Sequence, residues 1–234
     1  LVISNFGEIN GCGFMNTTIQ ATGYVEDKEE KTTVTEGRAI NSAAIAINNN
    51  GRIFNASIFK AKVNAVSRLA NVKAGGVAVF NNGTNSKITN SFVRNSYINS
   101  DTIIGSNAVS AISGGIVAQN EGTVSECYVT HESSESTAVQ ANSGILSGAT
   151  AVRDSVAGGI IGEMINGNIN HCYVSSARIY SNTRASGMVG RKTNSNAITI
   201  QNSYVFRIRL NASDRAMVLT DTEGVKCNNV YAVK

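Results

Sequence analysis

The sequence contains no proline and no tryptophan, and charged side chains occupy only 15% of its 234 positions. A chain without proline loses no backbone N–H group, which suits a fold that needs most of these groups for β-ladders. No stretch approaches the roughly 18 consecutive apolar residues of a membrane-spanning helix. We therefore expect a β-rich protein without a membrane span.

Recognisable catalytic and metal-binding motifs are also missing. The sequence has no HExxH, GxSxG, phosphate-binding loop, calcium-binding GGxGxD nonapeptide or CxxC pair. A polysaccharide-acting β-helix enzyme would need two or three carboxylates, or a carboxylate beside a Lys or Arg, on neighbouring coils. The aspartates recur in no common register, so we expect no enzyme, no cofactor and no metal, and keep that enzyme class as a distant alternative: Asp27, Asp101, Asp154, Asp214 and Asp221.

What the sequence does contain is an internal repeat, in a chain that is 42% hydrophobic and rich in Gly, Asn, Ser and Thr. This composition argues against disorder. Each copy has two short strand-like runs joined by an Asn/Gly turn, and the copies are separated by inserts of variable length. The copies are Asn5–Phe14, Ser42–Ile58, Gly75–Val93, Gly114–Val129, Gly158–Val174, Ser186–Val205 and Cys227–Ala232.

Aligning the copies gives columns with a constant chemical character. One column is apolar: Ile9, Ile53, Ile88, Val124, Ile169, Ile200 and Cys227. Two positions later comes a polar column, called the corner column below: Gly11, Asn55, Asn90, Glu126, His171, Asn202 and Asn229. The next column is small: Cys12, Ala56, Ser91, Cys127, Cys172, Ser203 and Val230. An aromatic column follows: Gly13, Ser57, Phe92, Tyr128, Tyr173, Tyr204 and Tyr231.

These columns predict an all-β fold, a right-handed parallel β-helix of about seven coils with variable insertions at its corners. Equivalent residues of successive coils would lie above one another, about 4.8 Å apart. In the corner column, asparagine tolerates the left-handed backbone and can form a hydrogen-bonded ladder: Asn55, Asn90, Asn202 and Asn229. We expect glycine to supply positive φ at other corners. Residues 1–234 are predicted to form one domain, a segment of a longer repeat protein.

The pattern GG[IV]VxxNxGTVxxCYV resembles the GLUG motif of large bacterial surface and secreted proteins, including non-catalytic regions of some IgA-cleaving peptidases. The resemblance is greatest at Gly114–Val129 and Gly158–Val174. Ala46, Ala78 and Ala118 replace the second glycine of the motif, which Gly162 and Gly190 keep. The resemblance implies an exported, β-helical, multi-repeat protein at the cell surface or outside the cell, and it implies no ligand.

The cysteines and His171 could be structural residues or could take part in chemistry. Cys127 and Cys172 share the small column, so adjacent coils would bring them within reach of a disulfide, or they are small buried apolar residues. All four cysteines are expected to face inward. His171 would lie at a corner rather than act with Cys172, because consecutive strand residues point to opposite faces.

Charge is unevenly distributed along the chain, which has a net charge of +4. Residues 25–38 are mainly acidic, and a basic set near the other end is a candidate contact for an acidic glycan, a host surface molecule or a neighbouring subunit: Arg178, Arg184, Arg191, Lys192, Arg207 and Arg209. Alternation along Tyr204–Leu210 predicts Tyr204, Phe206, Ile208 and Leu210 buried, with Arg207 and Arg209 exposed. A solvated face is the other reading, and nucleic acid is not expected.

Two functions follow from these observations. The first is a surface stalk or adhesin segment that presents loops such as 25–38 and 130–155, with further repeats of the same protein as neighbours. The second is an extracellular filament subunit that stacks end to end, since open solenoid ends are unpaired sheet edges. Four sequons would accept glycans in a eukaryotic source: Asn16, Asn55, Asn82 and Asn211.

Overall fold

The computed structural model describes residues 1–23, 39–67, 70–102, 109–133, 137–143, 154–194 and 196–233. These residues contain thirty β-strands and no helix. All of the strand pairings are parallel. The predicted all-β class and the parallel β-helix are therefore confirmed.

The strands follow one another around seven coils. Coils 1 and 2 comprise β1 (Val2–Asn5), β2 (Glu8–Asn10), β3 (Gly13–Met15), β4 (Thr18–Gly23), β5 (Ile40–Ala43), β6 (Ala46–Asn49), β7 (Arg52–Phe54), β8 (Ser57–Phe59) and β9 (Lys62–Ser67). Coils 3 and 4 comprise β10 (Val72–Gly75), β11 (Ala78–Asn81), β12 (Lys87–Thr89), β13 (Phe92–Arg94), β14 (Tyr97–Thr102), β15 (Ser110–Gly114), β16 (Val117–Asn120), β17 (Thr123–Ser125), β18 (Tyr128–Thr130) and β19 (Thr137–Ser143).

The remaining three coils continue the same order. Coil 5 comprises β20 (Asp154–Gly158), β21 (Ile161–Met164), β22 (Asn168–Asn170), β23 (Tyr173–Ser175) and β24 (Arg178–Ser181). Coils 6 and 7 comprise β25 (Arg184–Ser186), β26 (Val189–Lys192), β27 (Ile198–Phe206), β28 (Arg209–Asn211), β29 (Asp214–Ala216) and β30 (Val225–Val233).

Stacking of the coils produces four parallel sheets. Sheet I contains β5, β10, β15, β20, β25 and β29, and sheet II contains β1, β6, β11, β16, β21 and β26. Sheet III is folded into two halves. One half contains β2, β7, β12, β17 and β22, and the other contains β3, β8, β13, β18 and β23. The two halves join at the long strands β27 and β30. Sheet IV contains β4, β9, β14, β19, β24 and β28.

Each predicted column is a row of register partners in sheet III. Ile53 pairs with Ile88 and Ile88 with Val124, and all three side chains are fully buried. The row continues in register to Ile200 and Cys227. Burying a column of Ile and Val side chains from every coil creates the interior that a single coil could not enclose.

The corner column lies at the fold between the two halves of sheet III. All seven of its residues have positive φ, from 45° at Asn90 to 67° at Gly11. A second corner, between sheets III and IV, also has positive φ at Asn16, Lys60, Asn95, Ser176 and Arg207. Asparagine is among the residues that adopt this left-handed conformation at least cost, which explains its enrichment at the first corner.

The Gly–Gly pairs of the repeat have a different role from the one that we expected. The positive-φ glycines of the described residues are Gly11, Gly83, Gly167 and Gly224, none of which belongs to such a pair. A Cβ atom on Gly114 would collide with the carbonyl oxygen of Val117. The pairs therefore allow a sharp bend between sheets I and II, where two backbone segments come into contact.

Candidate functional site

The basic set predicted from the sequence is spread over several faces. Arg178 and Arg209 are register partners on sheet IV, and Arg207 lies at the adjacent corner. Arg184 lies on sheet I, where its Nε is 3.8 Å from a carboxylate oxygen of Asp214. Arg191 and Lys192 lie on sheet II, where both side chains are largely buried. The structure therefore brings together Arg178, Arg207 and Arg209, and separates the other three.

The predicted alternation of Tyr204–Leu210 is wrong for its first half, whereas Ile208 and Leu210 pack against the core as predicted. Val205 is fully buried, whereas Tyr204 is 44% exposed. The reason is the corner at Arg207, which ends β27 at Phe206 and resets the alternation, so that Ile208 still packs against the core. Arg207 and Arg209 are exposed as expected, and the Arg207 guanidinium lies 4.9 Å from the centre of the Phe206 ring.

A partly buried ionic network crosses the bend between sheets I and II, and it was not predicted from the sequence. The Arg191 guanidinium on β26 donates to both carboxylate oxygens of Asp154 at 2.7 Å and to Glu163 Oε1 at 2.7–2.8 Å. The Lys73 ammonium on β10 donates to Gln119 and lies 4.0 Å from Glu163 Oε2. Strands from four coils are thereby connected through charged side chains.

Burial and the neighbouring charges shift the pKa values of the two cations in this network. Burial lowers the pKa of Lys73, an effect that the nearby Glu163 carboxylate partly offsets. The pKa of Arg191 is raised, because the attraction of Glu163 and Asp154 exceeds the opposing effect of burial. The network acts as a cross-link between sheets I and II.

Lys192, next to Arg191, is only 8% exposed. Its ammonium group donates to the carbonyl oxygen of Glu223 at 2.6 Å. Its side chain therefore has a role inside the solenoid, and it cannot present its charge to a large ligand without leaving this contact.

A buried row of asparagine side chains runs along the junction of sheets II and III, and we name it the inner ladder. The amide of Asn5 donates to Asn49 Oδ1 at 2.8 Å, Asn49 to Asn81 at 2.8 Å, and Asn81 to Asn120 at 2.7 Å. The last three residues are fully buried. The row ends where Asn120 meets the Met164 sulfur at 3.4 Å. Each amide satisfies its neighbour, as a buried polar group requires.

The corner column carries a second, exposed row of amides, which we name the outer ladder. Asn90 Nδ2 donates to Asn55 Oδ1 at 2.6 Å, and Asn229 donates to Asn202 at 3.1 Å. Glu126 and His171 occupy the column between these two stretches, so the amide row is interrupted at coils 4 and 5. His171 is exposed while Cys172 is buried, so the two side chains point apart.

An aromatic ladder stands on the outer face of the second half of sheet III. Phe92, Tyr128, Tyr173 and Tyr204 stack with ring centroids 4.8–5.1 Å apart and interplanar angles of at most 9°. The spacing equals the separation of neighbouring strands, so the register of the coils sets the ring stack. Below Phe92, the column continues with the small residues Ser57 and Gly13, and the stack ends.

The four cysteines are free. Cys127 and Cys172 are buried, and the disulfide that the sequence left open is not formed. Burial raises the pKa of the Cys127 thiol well above its usual value, which keeps it protonated. Cys12 and Cys227 are exposed because they lie in the two end coils, although Cys227 is in register with the buried Ile200.

The predicted sequons differ in accessibility. Asn16 lies at the second corner and Asn211 on β28, both exposed, and Asn82 is half-buried. Asn55 Nδ2, the atom that a glycan would modify, already donates to Asn10 Oδ1 at 2.8 Å. Loop 25–38 lies outside the described residues, as do 134–136 and 144–153 of loop 130–155.

Within the described residues, His, Cys, Asp and Glu side chains form no group of three or more that could hold a metal ion. The same residues include no helix long and apolar enough to cross a membrane. Comparison of the chain with family models, with curated proteins and with solved structures gives no match.

Proposed function

We propose that the chain is a rigid, non-catalytic solenoid segment that serves as a scaffold on a cell surface or in a secreted protein. The observation that carries the proposal is the continuity of the columns. The same apolar row runs in register from Ile9 in coil 1 to Cys227 in coil 7. A body built in this way extends by about 4.8 Å with each added coil, so its length is set by the number of repeats.

The stacked side chains support a stiff spacer. The inner ladder joins four successive coils, and the aromatic ladder joins another overlapping set of four. Bending the solenoid would have to open several of these contacts together. The Arg191 network adds a cross-link at the bend between sheets I and II.

The extracellular location and the adhesin role draw their support from the resemblance of the repeats to the GLUG motif. The outer surface is compatible with presentation to a partner. Arg178, Arg207 and Arg209 form a basic patch on one edge of the rod, which suits an acidic glycan or the acidic surface of a host molecule.

A coil deletion tests the scaffold proposal. Val72 is the register partner of Ala111, so deletion of residues 73–111 joins equivalent points of two coils. We expect a folded rod that is shorter by one coil spacing, about 4.8 Å, in small-angle X-ray scattering. Deletion of residues 73–92, which removes half a coil, is the matched control and should unfold the chain. Loss of the fold in the whole-coil variant would contradict the proposal.

The location is tested separately by antibody labelling of intact and permeabilised cells of the source organism. Equal labelling of both is expected for a surface protein. Labelling restricted to permeabilised cells would contradict the surface role, although the scaffold itself would stand.

A filament subunit is the second candidate, and a specific observation favours it. The end coils expose large apolar side chains: Leu1 67%, Ile3 77%, Phe6 79%, Met15 64%, Tyr231 63% and Val233 51%. Either further repeats of a longer chain or a second copy would cover them. Sedimentation velocity over a concentration series distinguishes the two. Growing oligomers favour the filament, and a constant monomer favours the spacer.

The Arg191 network gives no reason to propose catalysis. A carboxylate pair can act on a glycosidic bond only when one group protonates or attacks the substrate. In this structure Asp154 and Glu163 are both held by the same guanidinium.

A further inference from the structure

The aromatic ladder has an open lower end. One face of the Phe92 ring stacks on Tyr128, with centroids 5.1 Å apart. On the other side, the register partner of Phe92 is Ser57, and the partner of Ser57 is Gly13. No ring stacks below Phe92 in the described part of the chain, although the spacing of the coils would accommodate one.

This open end is a groove rather than a filled surface. It has a volume of about 500 Å³ and is lined by Gly13, Met15, Ser57, Phe59, Phe92, Arg94 and Tyr128, among others. The Ser57 hydroxyl leans away from Phe92, since a Cβ atom on Gly13 would lie 2.5 Å from Ser57 Oγ. The missing ring therefore leaves room for a six-membered ring on the face of Phe92.

Among the described residues that line the groove, Arg94 is the charged one. Arg94 is exposed and lies on the same strand and the same face as Phe92, about 7 Å further along. Arg94 and Lys60 both lie over the Phe59 ring, at 5.8 and 5.3 Å from its centre. In the described part of the chain, no acidic side chain lines the groove and Arg94 has no carboxylate partner.

We propose that this groove binds a terminal pyranose ring that carries a carboxylate. The C–H face of the sugar packs on the free face of Phe92, where the negative π-cloud attracts it. The carboxylate is bound by the Arg94 guanidinium, whose planar fork fits two oxygen atoms. The hydroxyls of Ser57 and Tyr128, two residues that line the groove, supply hydrogen-bonding partners for the sugar hydroxyls.

An aromatic side chain of a protein partner would also fit against Phe92. The acidic sugar is favoured because it would contact both the face of Phe92 and the exposed Arg94 charge, whereas an apolar ring would contact the face of Phe92 alone. The site lies among coils 1 to 4 and is independent of both candidate functions of the rod.

Titration of the intact chain, followed by NMR at the Arg94 side chain and the Phe92 ring, tests the proposal. The probes are methyl β-D-glucuronide, the neutral methyl β-D-glucoside, and N-acetyl-phenylalaninamide. We expect the glucuronide to bind at least about tenfold more tightly than the glucoside, because its charge-assisted contact contributes more than about 1.4 kcal/mol. Its affinity should fall as salt is added.

Two variants identify the site. Ser57→Phe continues the ring stack in the place of the sugar, so the chain should remain folded and lose binding. Arg94→Gln should reduce glucuronide affinity to that of the glucoside. Lys87→Gln removes an exposed cation of the same coil on the other half of sheet III, and should bind like the parent chain.

Four results would overturn the proposal. They are equal affinity for the two sugars, tighter binding of the phenylalanine amide, unchanged binding in folded Ser57→Phe, and no binding of the glucuronide at millimolar concentration.

Discussion

The inner and outer ladders use the same side chain in opposite surroundings. Both are rows of asparagine amides that donate to a neighbouring coil over distances of 2.6–3.1 Å, the inner ladder to the following coil and the outer ladder to the preceding one. In the inner ladder, Asn49, Asn81 and Asn120 are fully buried and have ordinary backbone. In the outer ladder, Asn55 and Asn90 are exposed and have φ of 57° and 45°.

The comparison separates two reasons for asparagine in a solenoid. In the outer ladder, the backbone conformation selects the residue, because few side chains tolerate positive φ. In the inner ladder, the amide is selected for its hydrogen-bonding capacity, because it can donate and accept in one row without water. The outer ladder therefore tolerates other residues, such as Glu126 and His171. A substitution in the inner ladder removes buried hydrogen bonds from the neighbouring amides.

The largest effect is expected from Asn81→Ala in the inner ladder. The change removes a donor to Asn120 and an acceptor from Asn49, so that Asn120 Oδ1 and one N–H of the Asn49 amide each lose a buried hydrogen bond. We expect the free energy of unfolding in urea to fall by about 3 kcal/mol. A loss below about 1 kcal/mol would mean that the buried contacts of this ladder stabilise the fold no more than the exposed contacts of the outer ladder.

A smaller effect, with a different side-chain dependence, is expected at Asn90 in the outer ladder. Asn90→Ala places at φ 45° a residue that has a Cβ atom but no side-chain amide to form a hydrogen bond. The free energy of unfolding should fall by about 1.5 kcal/mol. Asn90→Gly loses the same exposed hydrogen bond without the steric strain, and should cost only about 0.5 kcal/mol. Equal losses in the two variants, measured by urea unfolding, would show that the amide contact rather than the backbone controls this position.

The sequence was sufficient to predict the fold and the sheet III register. In this sheet, residues of the same kind recur at the same position of each copy. The residues of the predicted apolar and aromatic columns are register partners in the structure. The outer ladder was predicted for the same reason. Corner residues recur two positions after an apolar residue in each copy, so alignment alone exposes them.

The inner ladder was not predicted, because Asn49, Asn81 and Asn120 lie in segments with neighbouring Asn and Gly residues, a composition typical of turns. Nothing local distinguishes an amide that points inward from one that points outward at a turn. The pairing of Glu163 with Arg191 was detectable in principle as opposite charges one coil apart in one row. Its contact with Asp154 was not, because it depends on the bend between two sheets.

A gain in stability is expected when the outer ladder is completed. The double variant Glu126→Asn, His171→Asn places residues suited to positive φ at 55° and 52° and restores the amide row between Asn90 and Asn202. We expect a higher free energy of unfolding, by about 1 kcal/mol, since exposed amide contacts contribute little individually. A destabilised double variant would contradict the view that backbone conformation selects these residues.

The smallest expected effect is a change of stability with pH. The amide side chains of the two ladders do not titrate, so this effect comes from another group. Burial raises the pKa of the half-buried Asp101 carboxyl above its ordinary value near 3.8. The charged form therefore disfavours the fold, and stability should increase slightly as the pH falls from the raised value towards 3.8. Comparison of urea unfolding of Asp101→Asn with the parent chain across this range should show the parent gaining relative to the variant. A relative loss would contradict the assigned cause.

Hydrogen exchange of the asparagine side-chain amides, followed by NMR in the parent chain, tests the central comparison most directly. We expect slow exchange at Asn49 and Asn81, because both amide groups are buried and donate to the next coil. The amides of Asn55 and Asn90 should exchange much faster, since both are exposed. Similar exchange rates for the two rows would contradict a buried, in-register amide ladder inside the solenoid.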